Sequence, residues 1–237
     1  MNWSSIRPHT CLGKILRIPL RLIPPDAVLP IVAGPLRGSQ WVVGSSLRGC
    51  WLGSYEEPKQ RLIASFLRPG TVFFDLGANV GFYSLLAARK GCRVVAFEPL
   101  PSNLAFLRRH IVLNHLTSVE VVEAAVCDRD GTAAFAIDGH PSQTRLADAG
   151  GIFVRTVALD SLSLPPPDVL KIDIEGAEYD ALCGGKETIT KSFPVVFLAT
   201  HGDTVHRQCC DLLAGWGYKL TRISADDELL ALPPGRG

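Results

Sequence analysis

Apolar residues change their spacing several times along the chain, and each change marks a predicted element. Short apolar runs rich in β-branched or aromatic residues, typical of buried strands, lie at 72–74, 94–97, 119–122, 169–174 and 195–199. Between these runs apolar side chains recur at helical spacing, as in Leu104, Leu107 and Ile111. Strands that alternate with helices predict an α/β fold with a doubly wound, mostly parallel sheet. Two later apolar runs, at 218–223 and 229–232, predict final antiparallel strands.

The first 57 residues follow a different pattern, and we predict a small β-rich extension or cap at 1–57 in front of a main domain at 58–237. Prolines exclude a long helix before residue 33, and the short basic, apolar segment at 14–22 either packs across the domain or touches a membrane surface. Glycines alternate with large rings at 34–57, which predicts one or two hairpins. The rings of Trp41, Trp51 and Tyr55 either line a ligand site or pack on the sheet.

The stretch 71–98 contains the most specific chemistry of the chain. Its first strand ends in the pattern D-x-G-x-N-x-G, formed by Asp75, Gly77, Asn79 and Gly81, and helical spacing begins at Phe82. A strand, a glycine turn and a helix in this order allow a ligand to approach the backbone and the free N–H groups at the helix start. An ordinary turn that binds nothing is the alternative.

A second carboxylate follows at the end of the next predicted strand. Glu98 comes 98 − 75 = 23 residues after Asp75, where a neighbouring parallel strand ends and a carboxylate can accept hydrogen bonds from both hydroxyls of a ribose. The exit of the third strand, near Ala125, is where an adenine would lie. The predicted cofactor-binding residues are Asp75, Gly77, Ala78, Asn79, Gly81, Glu98, Asn103 and Ala125.

The turn does not match the G-x-G-x-x-G pattern that holds the pyrophosphate of nicotinamide dinucleotides. An acidic residue ahead of Gly77-Ala78-Asn79 instead resembles the S-adenosylmethionine loop of Rossmann-like methyltransferases. That ligand carries an ammonium and a sulfonium but no phosphate, so a carboxylate suits it. S-adenosylmethionine is therefore the predicted cofactor. A nicotinamide oxidoreductase and a non-catalytic protein that keeps the fold for binding are the rival interpretations.

Candidate catalytic residues follow the fourth and fifth predicted strands. Asp173 and Glu175 leave the run at 169–174, and His201 follows the run at 195–199. All three are expected at the carboxyl ends of strands, where open parallel sheets hold their sites. Alternatively, Glu175 caps the next helix, Asp173 makes a local bond and His201 is only hydrogen-bonded. His201, His206, Cys209 and Cys210 lack a second C-x-x-C knuckle, so no metal site is predicted.

The amino-acid composition limits the kinds of partner and the cellular compartment that we expect for this protein. The 24 Lys and Arg against 23 Asp and Glu give a net charge of +1 without a basic run, so we expect no nucleic-acid partner. Seven cysteines without framework spacing favour a reducing compartment, and no apolar stretch approaches the roughly 18 residues of a membrane span. We expect a cytoplasmic protein without membrane insertion, and the sequence leaves its oligomeric state open.

Several segments together resemble one family. In chain order they are FDLGANVGFYSLLAA, AFEPLPSN, AAVCDRDG, VLKIDIEGAE and FLATHG, and they resemble the FkbM family of S-adenosylmethionine-dependent methyltransferases over about residues 34 to 223. The resemblance implies a Rossmann-like class I methyltransferase fold with seven strands, and methylation of a hydroxyl on a sugar, glycan or other small natural product. Many members read E-x-H where this chain has Ala199-Thr200-His201, so the histidine is carried over and the glutamate is missing.

The implied reaction sets the expected roles of the catalytic candidates. Methyl transfer requires that acceptor oxygen, methyl group and sulfur lie in line, and a hydroxyl acceptor must also lose its proton. Histidine is a suitable base near neutral pH. His201 is therefore the first candidate, and Asp173 is the second, as base or as the group that orients the acceptor.

Overall fold

The computed structural model describes residues 22–136, 145–146, 152–223 and 227–235 of the 237-residue chain. In chain order its strands are β1 (Val28–Pro30), β2 (Gln40–Val42), β3 (Val72–Leu76), β4 (Arg93–Phe97), β5 (Val119–Val122), β6 (Ala125–Val126), β7 (Gly131–Ala136), β8 (Arg145–Leu146), β9 (Ile152–Val157), β10 (Val169–Ile172), β11 (Val195–Ala199), β12 (Lys219–Arg222) and β13 (Glu228–Leu232). Its helices are α1 (Arg48–Leu52), α2 (Glu57–Phe66), α3 (Phe82–Arg89), α4 (Pro101–Leu113), α5 (Glu178–Gly184), α6 (Lys186–Ser192) and α7 (Asp203–Gly215).

Seven of these strands form the main sheet, in the order β12-β13-β11-β10-β3-β4-β5. Five adjacent strands of this sheet are parallel, namely β11, β10, β3, β4 and β5. Strand β13 is antiparallel to both of its neighbours, β11 and β12. The sequence order of the strands reverses at β3, which pairs with β4 on one side and β10 on the other. Open sheets bind ligands beyond the carboxyl ends of the strands at such a point. The predicted doubly wound, mostly parallel sheet of seven strands is confirmed.

Each face of the main sheet has its own hydrophobic core, because successive strand residues point to opposite faces. Phe73 packs in the core that contains buried residues of α2, α3 and α4, and the next residue, Phe74, packs in the core that contains those of α5, α6 and α7. The sheet is therefore covered by helices on both sides. This explains why its central strands are buried along almost their whole length and mostly apolar, with Asp75 and Lys171 as exceptions.

Helix α3 is buried on all sides, which differs from the single apolar face that its spacing predicts. Every residue from Phe82 to Ala88 is buried. The extension covers the side that faces away from the sheet, where Trp41 and Tyr55 make edge-on ring contacts with Phe82. The start of α3, directly after the glycine turn, is consequently packed between the sheet and the extension.

A smaller sheet of order β6-β9-β7-β8 lies between the third and fourth strands of the main sheet in sequence. The turn at Asp130-Gly131 predicts an antiparallel hairpin, and the strand that follows it, β7, pairs antiparallel with β8 and β9. The polar, glycine-bearing stretch at 138–151 predicts a surface loop, and it lies mostly outside the described residues. β6 matters for the site because Ala125 lies on it and lines the pocket described below.

The described part of the extension differs from the prediction in its second half. β1 and β2 form one antiparallel pair, but α1 replaces a second hairpin. Gly53 ends α1 with φ 81°, and left-handed glycines end helices as readily as they form hairpin turns. Trp41 shares a core with residues of α2 and α3, so the division at residue 57 stays a prediction. The basic segment at 14–22 lies almost wholly outside the described residues.

Among the described residues, no helix is both long and apolar enough to cross a membrane.

Candidate active site

A pocket of about 290 Å³ lies beyond the carboxyl ends of β3, β4, β10 and β11. It brings together side chains predicted for the cofactor and side chains predicted for the chemistry. The predicted residues on its wall are Gly77, Ala78, Asn79, Glu98, Asn103, Ala125, Asp173, Glu175 and His201. Asp75 and Gly81 are not among the described residues that line it.

Glu98 follows β4 and is almost fully buried on the pocket wall. Its Oε2 accepts a hydrogen bond from the Asn79 N–H at 2.8 Å, and its Oε1 accepts from the Leu100 N–H at 3.0 Å and from Asn103 Nδ2 at 3.1 Å. Burial raises the pKa of the Glu98 carboxyl, and these hydrogen bonds act against the rise. The carboxylate is held in one orientation and keeps lone pairs for the hydroxyls of a ligand.

Part of the backbone of the glycine turn is tied to the protein itself, and the use of the N–H groups at the helix start by a ligand stays a prediction. The N–H groups of Gly77 and Ala78 both donate to the Phe97 carbonyl, at 3.1 and 2.9 Å. Gly77 has φ 76°, and a Cβ there would lie 2.0 Å from the Asp173 carbonyl oxygen. Glycine is therefore required at residue 77 for contact with the end of β10, a reason independent of any ligand.

Asp75 and Gly81 lie behind the pocket wall. Asp75 is fully buried, accepts a hydrogen bond from Ser84 Oγ at 2.7 Å, and lies 3.1 Å from Lys171 Nζ. A Cβ on Gly81 would lie 2.4 Å from Leu107 Cδ1 of α4. Both residues thus support the turn from inside, and direct contact of either one with a cofactor stays a prediction that the pocket lining does not favour.

Two buried lysines sit among carboxylates at the far side of the pocket. Lys59 Nζ of α2 lies 2.5 Å from Glu228, 3.4 Å from Glu56 and 3.8 Å from Asp173. Lys171 Nζ lies 3.9 Å from the same Asp173 oxygen. Burial acts to raise the pKa of Asp173, but the charges of Lys171, Lys59 and His201 together outweigh it and hold that pKa below its usual value. Asp173 is therefore a carboxylate fixed between cations.

His201 stands opposite Asp173, and its two ring nitrogens have different surroundings. Nδ1 lies 2.8 Å from Oε1 of Glu178, whereas Nε2 lies 3.5 Å from Glu175 and 3.9 Å from Asp173. The hydrogen bond to Glu178 is the largest cause of the raised pKa of His201. Burial raises the pKa of Glu175. Asp173 and Glu175 thus both lie close to His201, which is positioned to exchange a proton with a group in the pocket.

The same three side chains also offer the donor types of a divalent cation. One ligand atom each from Asp173, Glu175 and His201 lies within 4.8 Å of the others. Within the described part of the chain no other such group of three or more was found. The geometry therefore permits two uses of His201, as a base and as a nitrogen ligand.

Three residues on or directly behind the pocket wall were not predicted from the sequence. Glu178 is fully buried and orients His201, Lys59 fixes Asp173, and Glu56 accepts a hydrogen bond from the Tyr83 hydroxyl at 2.6 Å. Glu178 had a signal, since it is the third acidic residue in six positions at the end of a predicted strand. Lys59 had none, because a lysine near acidic residues in a surface-like helix usually faces solvent.

The three large rings of the extension divide between the two predicted roles. Tyr55 lines the pocket, beside Phe82 and Tyr83. Trp41 is fully buried and stacks on the imidazole of His110, with ring centroids 3.9 Å apart. Trp51 is also buried in the core. The extension therefore contributes both to packing and to the wall of the site.

The strand order and the position of the pocket define the class of this protein as a class I, Rossmann-like methyltransferase fold. A family model for the methyltransferase FkbM domain matches residues 75–220. The chain belongs to the FkbM methyltransferase family, and the resemblance read from its segments is confirmed.

Two curated relatives illustrate the similarity. The 31-O-demethyl-FK506 methyltransferase FkbM of Streptomyces tacrolimicus is 45% identical over 208 residues, covering 70% of this chain and 78% of that protein. The 2-O-methyltransferase NoeI of Sinorhizobium fredii is 31% identical over 163 residues, covering 56% of this chain and 65% of that protein. The chain thus spans somewhat less than two thirds of NoeI.

A solved structure agrees on the fold. The methyltransferase FkbM from Methylobacillus flagellatus KT superposes with a TM-score of 0.52 and 20% identity, over 78% of this chain and 53% of that one. At this identity the likeness concerns the fold alone.

Proposed function

We propose that this protein transfers the methyl group of S-adenosylmethionine to a hydroxyl oxygen of a sugar, glycan or other small natural product. The supporting observation is the pocket that Glu98 and the turn around Asn79 share with Asp173, Glu175 and His201. A group transfer requires that the residues that bind the cofactor and the residues that act on the acceptor share one cavity, and here they share a cavity of about 290 Å³.

The residues present fit the cofactor. Glu98 has fixed oxygens with lone pairs for two ribose hydroxyls, and Phe97, Leu100, Ala125 and Val126 add apolar wall for an adenine. Carboxylates on the wall suit a ligand with an ammonium and a sulfonium. When bound, S-adenosylmethionine supplies a methyl group activated by a positively charged sulfur.

Side chains that follow β10 and β11 remove the acceptor proton and orient the acceptor. His201 takes the hydroxyl proton at Nε2, and Asp173 orients the acceptor because Lys59 and Lys171 hold it in place. Glu175, 3.5 Å from Nε2, stabilises the imidazolium that forms. Alignment and proton removal are the two contributions expected of the protein.

The oxygen acceptor is supported by the relatives. The printed names of NoeI and FkbM both specify methylation at a numbered oxygen, and the FkbM name gives 31-O-demethyl-FK506 as its substrate. Tyr55 and Tyr83 add ring surface to the pocket wall, which suits the apolar faces of a sugar or polyketide ring.

The cofactor is tested by calorimetry with S-adenosylmethionine, and separately with NAD and NADP to test the oxidoreductase alternative. We expect binding of S-adenosylmethionine alone, weakened about tenfold or more in Glu98→Gln, because hydrogen bonds to a charged group contribute about 1.5–3 kcal/mol. The matched control is Glu120→Gln, an exposed glutamate on β5. Equal affinity in both variants would remove Glu98 from the site.

The activity is tested by mass spectrometry of extracts from cells with and without the protein. A product heavier by one methyl group is expected only with the protein. Its absence, together with intact cofactor binding, would favour the non-catalytic alternative.

Dialysis of the protein against EDTA tests whether a cation is needed. If methyl transfer is lost on dialysis and restored by Mg²⁺, Asp173, Glu175 and His201 are assigned to a cation site.

We also propose a reducing, cytoplasmic location. The described cysteines are all unpaired, and burial raises the pKa of the Cys50 and Cys209 thiols to about 12, so neither is a reactive thiolate. Cell fractionation tests the location, and recovery in a secreted or periplasmic fraction would contradict it.

A further inference from the structure

We infer that Glu178 is a positioning residue that fixes the tautomer of His201, so that the neutral imidazole carries its proton on Nδ1 and presents a bare Nε2 to the acceptor hydroxyl. This inference rests on the proposed function, and it assigns a role to a residue in the first turn of α5 that does not line the pocket. Glu178 and His201 form a carboxylate–imidazole pair.

The geometry of the pair determines which nitrogen is protonated. Glu178 Oε1 lies 2.8 Å from His201 Nδ1, and a carboxylate oxygen only accepts hydrogen bonds. Nδ1 therefore donates, and the proton of a neutral ring stays there. Nε2 faces Glu175 and Asp173 at 3.5 and 3.9 Å, distances that leave its lone pair available to a third group.

The backbone around α5 keeps the carboxylate in place. Oε1 of Glu178 also accepts a hydrogen bond from the Gly176 N–H at 2.9 Å, so one oxygen joins the loop after β10 to the histidine after β11. That loop turns sharply, because Glu175 and Gly176 have φ 57° and 106°. Glu178 itself is fully buried, so solvent does not compete for the hydrogen bond.

The pair has a defined role in the transfer step. The acceptor oxygen forms its bond to the methyl carbon while the methyl–sulfur bond breaks, and that bonding pair returns to sulfur, which becomes a neutral thioether. The hydroxyl proton moves to Nε2 of His201. The imidazolium that results is protonated on both nitrogens, and Glu178 stabilises it through Nδ1–H.

The first test needs neither an acceptor nor a variant of Glu178. NMR of the protein with ¹⁵N-labelled histidine reports which ring nitrogen carries the proton, and the signals of His201 are identified by their loss in His201→Ala. We expect the Nδ1–H tautomer in the neutral ring. A neutral His201 that carries its proton on Nε2 would overturn the inference.

The second test combines Glu178→Gln with Glu178→Asp. Gln keeps the shape but removes the charge, so we expect a mixture of tautomers and a yield of methylated product in cells that falls about tenfold or more, within the about 10² to 10⁴ that a general base supplies. Asp keeps the charge and should restore part of the yield. The matched control is Glu187→Gln, an exposed residue in the first turn of α6.

A third measurement separates this inference from the proposed function. Glu178→Gln should bind S-adenosylmethionine as tightly as the unaltered protein, because Glu178 is not on the pocket wall. If Glu178→Gln binds S-adenosylmethionine normally but leaves the His201 tautomer or the product yield unchanged, the role of Glu178 is rejected. The proposed function is not affected by that result. Failure of the unaltered protein to bind the cofactor would reject the proposed function, while the tautomer experiment would still decide the pairing.

Discussion

At the scale of single residues, the site separates the roles of two groups that the sequence left in competition. Asp173 lies between Lys59 and Lys171, which hold its pKa low, so it is a weak proton acceptor. His201 faces the pocket with one nitrogen and a buried carboxylate with the other. The charges around them assign proton removal to His201 and orientation of the acceptor to Asp173.

This assignment predicts different outcomes for two variants. His201→Ala should lower the rate of methyl transfer by about 10² to 10⁴ and leave the affinity for S-adenosylmethionine nearly unchanged, because it removes a base and no predicted cofactor contact. Asp173→Asn should mainly weaken the binding and orientation of the acceptor, and it should affect proton transfer less. Product yield and calorimetry on both variants are the measurements. If the Asp173 variant is inactive while the His201 variant works normally, the base is Asp173.

At the scale of elements, the turn between β3 and α3 is built against the end of β10. Gly77 touches the Asp173 carbonyl, and its N–H group bonds the Phe97 carbonyl at the end of β4. The turn therefore joins the ends of three neighbouring strands. A change at Gly77 is expected to alter the fold around the pocket and not only the access of a ligand.

A pair of alanine substitutions tests this. Gly77 and Gly70 both have left-handed backbones, with φ 76° and 87°, but only at Gly77 would a Cβ clash, since nothing lies within 4 Å at Gly70. Gly70→Ala should lower the free energy of unfolding by about 1–2 kcal/mol, the usual cost of this conformation. Gly77→Ala should cost clearly more and lose cofactor binding. Equal costs in denaturant unfolding would show that the contact with Asp173 is unimportant.

At the scale of the whole molecule, the extension and the sheet form one packed body in the described residues. His110 of α4 accepts a hydrogen bond from the Val42 N–H of β2 at Nε2, at 3.1 Å, and its Nδ1 donates to the Val80 carbonyl at 2.8 Å. Its ring stacks on Trp41. A neutral, buried imidazole thus joins the extension to the loop before α3.

The pH dependence of folding follows from this contact. Burial lowers the pKa of His110 from 6.5 to about 4. Since the unfolded chain binds the proton more tightly, His110 should reduce the free energy of unfolding as the pH falls from about 6.5 to 4, by at most about 1.4 kcal/mol per pH unit.

Denaturant unfolding across this pH range, compared with His110→Asn, is the measurement. The control is His115→Asn at an exposed histidine with φ 53°, a backbone that asparagine tolerates. The slope should shrink in the His110 variant and persist in the control. If the pH dependence of the free energy of unfolding is unchanged in both variants, groups other than His110 cause the loss of stability at low pH.

The sequence by itself determined the seven strands of the main sheet and the position of the glycine turn. It also determined that Glu98, Asp173 and His201 lie at strand ends. These features depend on the period of the apolar residues and on local turn chemistry, which are written in neighbouring positions. Segments of the chain were likewise enough to indicate the FkbM family, which the comparison of residues 75–220 confirmed.

Only the tertiary structure decided which of these residues meet. Glu178 bonds a histidine 23 positions away and Lys59 pairs with Glu228 across 169 positions, contacts that depend on β11 lying between β10 and β13 in the sheet. The same packing moved Asp75 behind the wall and put Tyr55 on it. Local patterns specify elements, whereas strand order and burial bring distant side chains together, so partners of this kind cannot be read from spacing.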